Sequence, residues 1–479
     1  MTNREVAWAL KCDLDRHGGQ LSTQLAQQIR NSIAGGELIP GDRVPASRAL
    51  ARELNVARGT VTTAMDILIA EGLLEARAGS GTYISSDASF CPEQLQPVSE
   101  TLIALPHAVP KPEIDQLGAV QIDFRPCRPS LESFPLAIWR RCLSSAGSAM
   151  PSADYGDPRG DERLRNTLVT YLRRARGLSF TADQIIITNG AVHAMHLLSS
   201  VYLDHDSKVV VENPGYRLAR QTFRLAGADI IPCAVDSSGL VVDELPSNTE
   251  NVRFVCVTPS HQFPTGSRLS LGRRRELISW AEERGILIIE DDYDGEFRYD
   301  VSPLAPLAAM SNGCVVYCGT FSKTLFPGLR IGFAVAPKRL IDTLAAYRSI
   351  SEYAPNTILQ SALAKFISEG HHERHIHKMR RIYAQKRKTL AESLRASTFA
   401  EQLQGLDSGL NALVKLKTGL TGTRLSAKAK HLDIVLPPVR HYALDDSVPD
   451  DAVVFGYAGL SEDQLVRGVE MLNTTSSAR

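Results

Sequence analysis

The chain has no excess of charge of either sign: across 479 residues, 53 lysines and arginines balance 53 aspartates and glutamates. Whole-molecule electrostatics therefore selects no partner, and contact with an acidic polymer has to come from a local cluster. No apolar run approaches the about 18 residues that a membrane helix needs, so no membrane contact is expected. The first residues, MTNREVAWALKC, carry charges where a secretory signal keeps its apolar core. Cysteine is sparse, eight in all, with no CxxC pair; Cys314 and Cys318 stand four apart in an apolar run and read as packing rather than metal ligation. Reduced thiols in a cytoplasmic protein are expected, and no metal site. What the chain does have is length and apolar content, 43% hydrophobic, enough for two or three domains with sizeable cores.

Residues 15–85 read as a small DNA-binding fold. In LSTQLAQQIRNSIA (21–34), Leu25, Ile29 and Ile33 recur every four residues, one apolar stripe of a helix. GGELIPGDRVP breaks it. A second helix is expected from about Ala46 to Leu54, ended by Asn55, which tolerates the left-handed conformation of a tight turn. A third, Arg58 to Ala70, places Val61, Ala64, Met65, Leu68 and Ile69 on one buried face. Its opposite side and N-terminus carry Arg58, Gly59, Thr60, Thr62 and Thr63, small or hydrogen-bonding groups that fit a major groove. LLEARAGSGTYIS then alternates about Gly79-Ser80-Gly81 as a two-stranded wing. In order and spacing, GELIPGDRVPASRALARELNVARGTVTTAMDILIAEGLLEARAGSGTYI resembles the GntR-type winged helix-turn-helix. The resemblance implies double-stranded operator DNA as a partner, contacted by Arg48, Arg58, Thr60 and the wing residue Gly81. Arg48 and Arg52 would mostly grip phosphates, whereas Arg58 would reach a guanine edge.

Residues 86–120, rich in proline and polar side chains, read as a linker with room for one short helix. From 121 to 479 the texture changes to an α/β domain. QIIIT, KVVVE, DIIPCAV, VRFVCVT, GILIIEDD, CVVYCGT and GFAVA alternate with helical stretches, the pattern of a mostly parallel sheet covered on both faces. Such sheets bind ligands at the carboxyl ends of their strands. After QIIIT come Asn189, Gly190 and Ala191, a helix start able to cradle a phosphate. After KVVVE comes Tyr216, an aromatic plate, and after GILIIE come Asp291, Asp292 and Tyr293. After CVVYCG come Thr320, Ser322 and Lys323, with Arg330 seven residues on. Taken together these groups suit pyridoxal 5′-phosphate: a lysine for a Schiff base, a carboxylate against the ring nitrogen, hydroxyls and an arginine for the phosphate.

With YGDPRGDERLR, PSHQFPTG, EDDYDGEFRYD and GTFSKTLFPGLRIGF added, residues from about 20 to 465 resemble the MocR/GabR-type regulators. These join the winged head to a fold-type I aminotransferase-like domain, whose smaller α+β subdomain falls at about 345–479 here. The resemblance implies Lys323 as the internal aldimine, Asp291 against the pyridine nitrogen, Tyr293 near the ring hydroxyl and Tyr216 stacked on the ring. It places Gly190, Ala191, Thr320, Ser322 and Arg330 around the phosphate, and Tyr155 on the phosphate of a partner subunit, so that a homodimer is needed. Two departures stand out. Phe263 precedes Pro264-Thr265-Gly266 where aminotransferases carry asparagine, leaving His261 and Gln262 to substitute. The place of the carboxylate-clasping arginine, near Val454, is apolar, and Arg440 is the nearest candidate for binding an effector.

Three functions fit these residues. One is a transcription regulator sensing a small amine or amino acid that displaces Lys323 from the cofactor. Another is a regulator of vitamin B6 synthesis for which the cofactor itself is the signal. The third is an aminotransferase carrying a DNA-binding appendage, against which stand the two departures. The first is the reading adopted.

Overall fold

A computed structural model describes residues 14–16, 19–89, 120–150, 152–299 and 304–476. Most of the linker expected at 86–120 lies outside the described residues; Ser86–Ser89 form a single 3₁₀ turn. The chain divides into two compact units, 1–111 and 112–479.

The first unit contains α1 (Leu21–Ala34), β1 (Arg43–Val44), α2 (Ser47–Glu53), α3 (Arg58–Ala70), β2 (Leu74–Arg77) and β3 (Gly81–Ile84). Leu25, Ile29, Leu50, Val61 and Leu68 meet in one core. The strands form an antiparallel sheet in the order β1-β3-β2, so the expected wing gains a third strand. Asn55 takes φ 50° in the turn between α2 and α3, as its residue type allows. Ile69 departs from the expected buried face and is 37% exposed. Eight residues beyond Val61 it stands about 80° round the helix, past the edge of the core.

The second unit opens with β4 (Ile122–Asp123), α4 (Leu136–Gly147), α5 (Glu162–Arg176), β5 (Ile185–Thr188), α6 (Ala191–Tyr202), β6 (Lys208–Asn213) and α7 (Arg217–Leu225). There follow β7 (Asp229–Asp236), β8 (Gly239–Leu240), β9 (Val252–Val257), α8 (Leu271–Arg284), β10 (Leu287–Asp292), β11 (Val315–Thr320) and β12 (Gly332–Val335). All seven strands read from sequence lie in one eight-stranded sheet ordered β5-β12-β11-β10-β9-β6-β7-β8. β12 runs antiparallel to both neighbours and β8 antiparallel to β7; the other pairs are parallel. Alternate residues of one strand enter opposite cores: Val210 and Ile288 face one, Val209 and Ile289 the other. That two-sided burial is why these strands are continuous apolar runs.

The remaining elements are α9 (Lys338–Ser351), α10 (Thr357–Ser368), α11 (His371–Arg395), β13 (Ala400–Gln404), β14 (Asn411–Leu416), α12 (Gly422–Lys430), β15 (Ile434–Val435), β16 (Ala452–Gly456) and α13 (Glu462–Ser476). α10 packs into the large core through Ala362, Leu363 and Phe366. A separate core gathers Tyr383, Leu390, Val414, Phe455 and Leu465 around the sheet β13-β14-β16, and Ile122 and Phe124 join it because β4 pairs with β15.

Candidate functional site

In the first unit, Arg48, Arg52, Asn55 and Arg58 line one surface recess of about 460 Å³ with Ala51 and Val56. The sequence-predicted Arg48 and Arg58 thus stand together, at the start of α2 and α3. Arg58 Nε donates to Ser47 Oγ at 3.3 Å, which anchors the guanidinium without burying it. Thr60 follows on α3, half-buried. Gly81 has φ 118°, and a Cβ there would come within 3.2 Å of the Arg43 guanidinium. Arg43 was not singled out from sequence, yet it brings a further cation to the wing.

In the second unit, strand register assembles the other site. Thr188 pairs with Gly332, which pairs with Thr320, so the ends of β5 and β11 flank the start of β12. On this edge Gly190, at φ 101°, precedes α6, and Arg330 lies against it: a Cβ on Gly190 would meet the guanidinium nitrogens at 3.4 Å. Thr320 Oγ1 donates to Ser322 Oγ at 3.0 Å and accepts from the Ser322 amide at 3.2 Å. Free amides of a helix start, two hydroxyls and a guanidinium make an anion cradle.

Asp291, next to Cys318 in the neighbouring pair of strands, is buried, and among the described residues its Oδ1 has no hydrogen-bond partner. Burial pushes its carboxyl up to about 7, while the nearby Lys323 ammonium pulls the other way. An unpartnered buried carboxylate oxygen is costly unless something donates to it. A protonated ring nitrogen supplies that donor, and the donor set around Lys323 therefore fits pyridoxal phosphate.

Beside Asp291, Tyr293 and His261 are buried; His261 Nδ1 lies 3.0 Å from the Tyr293 hydroxyl and 2.9 Å from Asp294 Oδ2. Burial opposes an imidazolium here, but the Asp294 carboxylate outweighs it and His261 is raised overall. Gln262 does not face the cofactor position; its amide nitrogen donates to Glu212, Pro214 and Phe263 oxygens. Glu212, raised to about 7 by burial despite donors from Thr258 and Gln262, ties this loop to the end of β6. Tyr216 is half-buried, its ring edge-on to Phe263 at 5.9 Å.

Two sequence-predicted residues stand apart. Tyr155 is 71% exposed and stacks on Tyr353, ring centroids 4.4 Å apart. Arg440 is engaged in an ion pair with Asp446.

Besides Arg43, three residues near Lys323 escaped the sequence reading. Cys127, φ 63°, lies within electrostatic reach of Lys323, Asp294 and Asp291, and burial pushes its thiol up to about 12. No motif marks it; only the fold brings it there. His372 and His375, from α11, hold the residue after Lys323: His372 Nε2 is 3.2 Å from Thr324 Oγ1, and His375 bonds the Thr324 backbone. Burial lowers them to about 3 and about 4, so both are neutral donors or acceptors. Their three-residue spacing in HHERHIH was the available signal.

The pair of raised carboxyls has a measurable consequence. Asp291 and Glu212 hold protons in the folded protein up to about pH 7 but release them near 3.8 and 4.5 when unfolded. Their share of stability is present below those unfolded values and lost as pH rises through 7. In cofactor-free protein, Asp291→Asn should flatten the fall in stability between pH 5 and 8 by an amount on the order of a few kcal/mol. Denaturant unfolding across that range checks this; parallel curves for the two proteins would contradict it.

Residues 129–428 match the family described as aminotransferase class I and II, and residues 21–84 the family described as bacterial regulatory proteins, gntR family. The chain is 32% identical to a probable rhizopine catabolism regulatory protein, MocR, of Rhizobium meliloti, over 94% of this chain and 92% of that one. It is 34% identical to the pyridoxine biosynthesis transcriptional regulator PdxR of Corynebacterium glutamicum, over 93% of each. Among solved structures, a kynurenine aminotransferase of Pyrococcus horikoshii covers 74% of this chain and 90% of its own, at 28% identity and TM-score 0.68.

Proposed function

Since the chain belongs to the MocR-type transcriptional regulators, in which a gntR-family DNA-binding unit is joined to a pyridoxal-phosphate-binding aminotransferase class I and II domain, we propose that it regulates transcription in response to a primary amine met at Lys323. The observation that carries this reading is the orphan Oδ1 of Asp291, buried within electrostatic reach of Lys323.

When bound, pyridoxal phosphate supplies an aldehyde carbon at which one amine can replace another. Lys323 would be the resident amine, and its Nζ would be the group able to hold a proton beside an incoming amine. Asp291 Oδ1 would accept from the ring nitrogen. Arg330, Thr320, Ser322 and the amides at Gly190 and Ala191 would hold the phosphate. Tyr293, steadied by His261 and Asp294, would serve the ring hydroxyl in place of the absent asparagine, and Tyr216 would pack on the ring. His372 and His375 keep the Lys323 turn in place through Thr324. The protein works as a homodimer: Tyr155, Ile350, Tyr353 and Ile358 are all exposed and suit a second copy, with Tyr155 reaching the partner's phosphate. An effector alters operator binding only by favouring one arrangement of the chain over another.

Similarity to PdxR supports a second reading, in which the cofactor itself is the signal. Operator binding compared among cofactor-free protein, loaded protein and loaded protein plus amine separates the two. A change on loading alone favours the second; a change only on adding amine favours the first.

On the DNA side, Arg58→Ala should cost about 1–3 kcal/mol on operator and much less on random sequence. Arg48→Ala should weaken both about equally and lower the salt dependence by about one phosphate contact. Competition binding at several salt concentrations measures both. Equal losses for Arg58→Ala on the two DNAs would make it a phosphate contact instead.

A further inference from the structure

One side of the cofactor site is a wall of rings and aliphatic chains. Phe263 meets Tyr442 at 5.0 Å, Tyr216 at 5.9 Å and Tyr293 at 6.0 Å between ring centroids, each close to perpendicular. Leu413, Val439, Val448 and Val454 complete the cluster, with Val454 fully buried. Cys127 packs on its edge and senses the charge of Lys323, so the wall borders the lysine.

The cations around this wall already have partners. Arg125 and Arg128 both pair with Asp123, at 2.7 and 2.6 Å. Arg440 pairs with Asp446, and Arg220 donates to the Tyr442 and Ala443 carbonyls at 2.7 and 2.9 Å. Arg217, near Tyr442, is engaged as well. Arg330 lies over the Gly190 turn, in the anion cradle, where the phosphate would take it. What the wall still offers is aromatic surface and the neutral hydroxyls of Tyr216 and Tyr442. A carboxylate pressed against it loses water and gains no cation unless it breaks an existing pair. An apolar chain or ring loses nothing there and leaves water behind.

We propose that the effector is a primary amine whose remainder is uncharged and largely apolar, and that Phe263 and Val454 set this preference. The proposal rests on the amine-sensing reading above and narrows it. Val454 is the sharper determinant: it occupies the middle of β16, where a long basic side chain would point into the same cluster and give a carboxylate its partner.

The test uses full-length protein loaded with pyridoxal phosphate and two matched pairs, phenethylamine against phenylalanine and butylamine against 4-aminobutyrate, at one pH. The cofactor absorbance reports the midpoint of each titration. Each simple amine should act at a concentration at least about tenfold below that of its carboxylated counterpart, the scale of one charged hydrogen bond left unmade. Equal or tighter action by the carboxylated members would overturn the proposal while leaving amine sensing intact. A spectrum indifferent to all four would instead overturn amine sensing, and this proposal with it. In Val454→Arg the order within each pair should reverse. Should that protein fail to fold, Phe263→Asn, which opens the wall to a polar group, should narrow the gap. A gap unchanged in whichever of the two variants folds removes that residue from the proposal.

Discussion

Lys323→Ala should give a protein that stays colourless in excess pyridoxal phosphate, ignores amines and still binds its operator. The lysine follows directly from β11, where Thr320 and Ser322 fix the turn and His372 and His375 fasten Thr324 from the other side. An amine held this firmly forms its covalent link at an effective concentration far above that of free lysine in solution. Removing it deletes that link but leaves the phosphate cradle of Arg330 and the α6 start, so weak non-covalent binding should remain, readable by calorimetry. Operator affinity of the cofactor-free variant should match cofactor-free wild type within about twofold, since the gntR-family match lies in the other unit. Absorbance, calorimetry and operator titration of the same preparation give the three answers. An amine response that persists in Lys323→Ala would end the sensing reading.

Asp291→Ala should weaken cofactor binding on the order of a hundredfold, about 3 kcal/mol, by leaving the ring nitrogen without its acceptor. The carboxyl is the costly element of the site without cofactor: burial raises it to about 7, and among the described residues its Oδ1 has no donor. Its removal should therefore stabilise cofactor-free protein while weakening the loaded form, opposite signs that a general packing defect does not produce. Melting temperatures with and without cofactor test this directly. Losses of equal size in both forms would mean that Asp291 is only a structural residue.

Why so much of this was legible lies in where the polar residues fall. A parallel sheet buried on both faces writes its strands as apolar runs, so the groups that break each run are marked as strand ends. Asp291, Tyr293, Thr320, Ser322, Lys323 and Gly190 are nominated that way. The contacts between distant segments were not. Arg330 lies over Gly190 and Cys127 lies beside Lys323, pairs that no local spacing announces. His372 and His375 sit on a helix whose later turns fill the C-terminal core, so nothing in their spacing separates them from ordinary helix packing. Ile69 was assigned to a buried face because a five-residue apolar pattern is wider than the contact that α3 makes. Arg440 could be nominated from sequence, but only the fold shows that it pairs with Asp446.

The most direct measurement is borohydride reduction of the loaded protein followed by peptide mapping, with and without a saturating primary amine. Without amine, the pyridoxyl mass should sit on the peptide carrying Lys323 and on no other. With amine it should leave that peptide and appear as a small-molecule adduct, at the same amine concentration that changes operator binding. A label on another lysine, or one that stays on Lys323 while operator binding shifts, would contradict amine sensing at this residue.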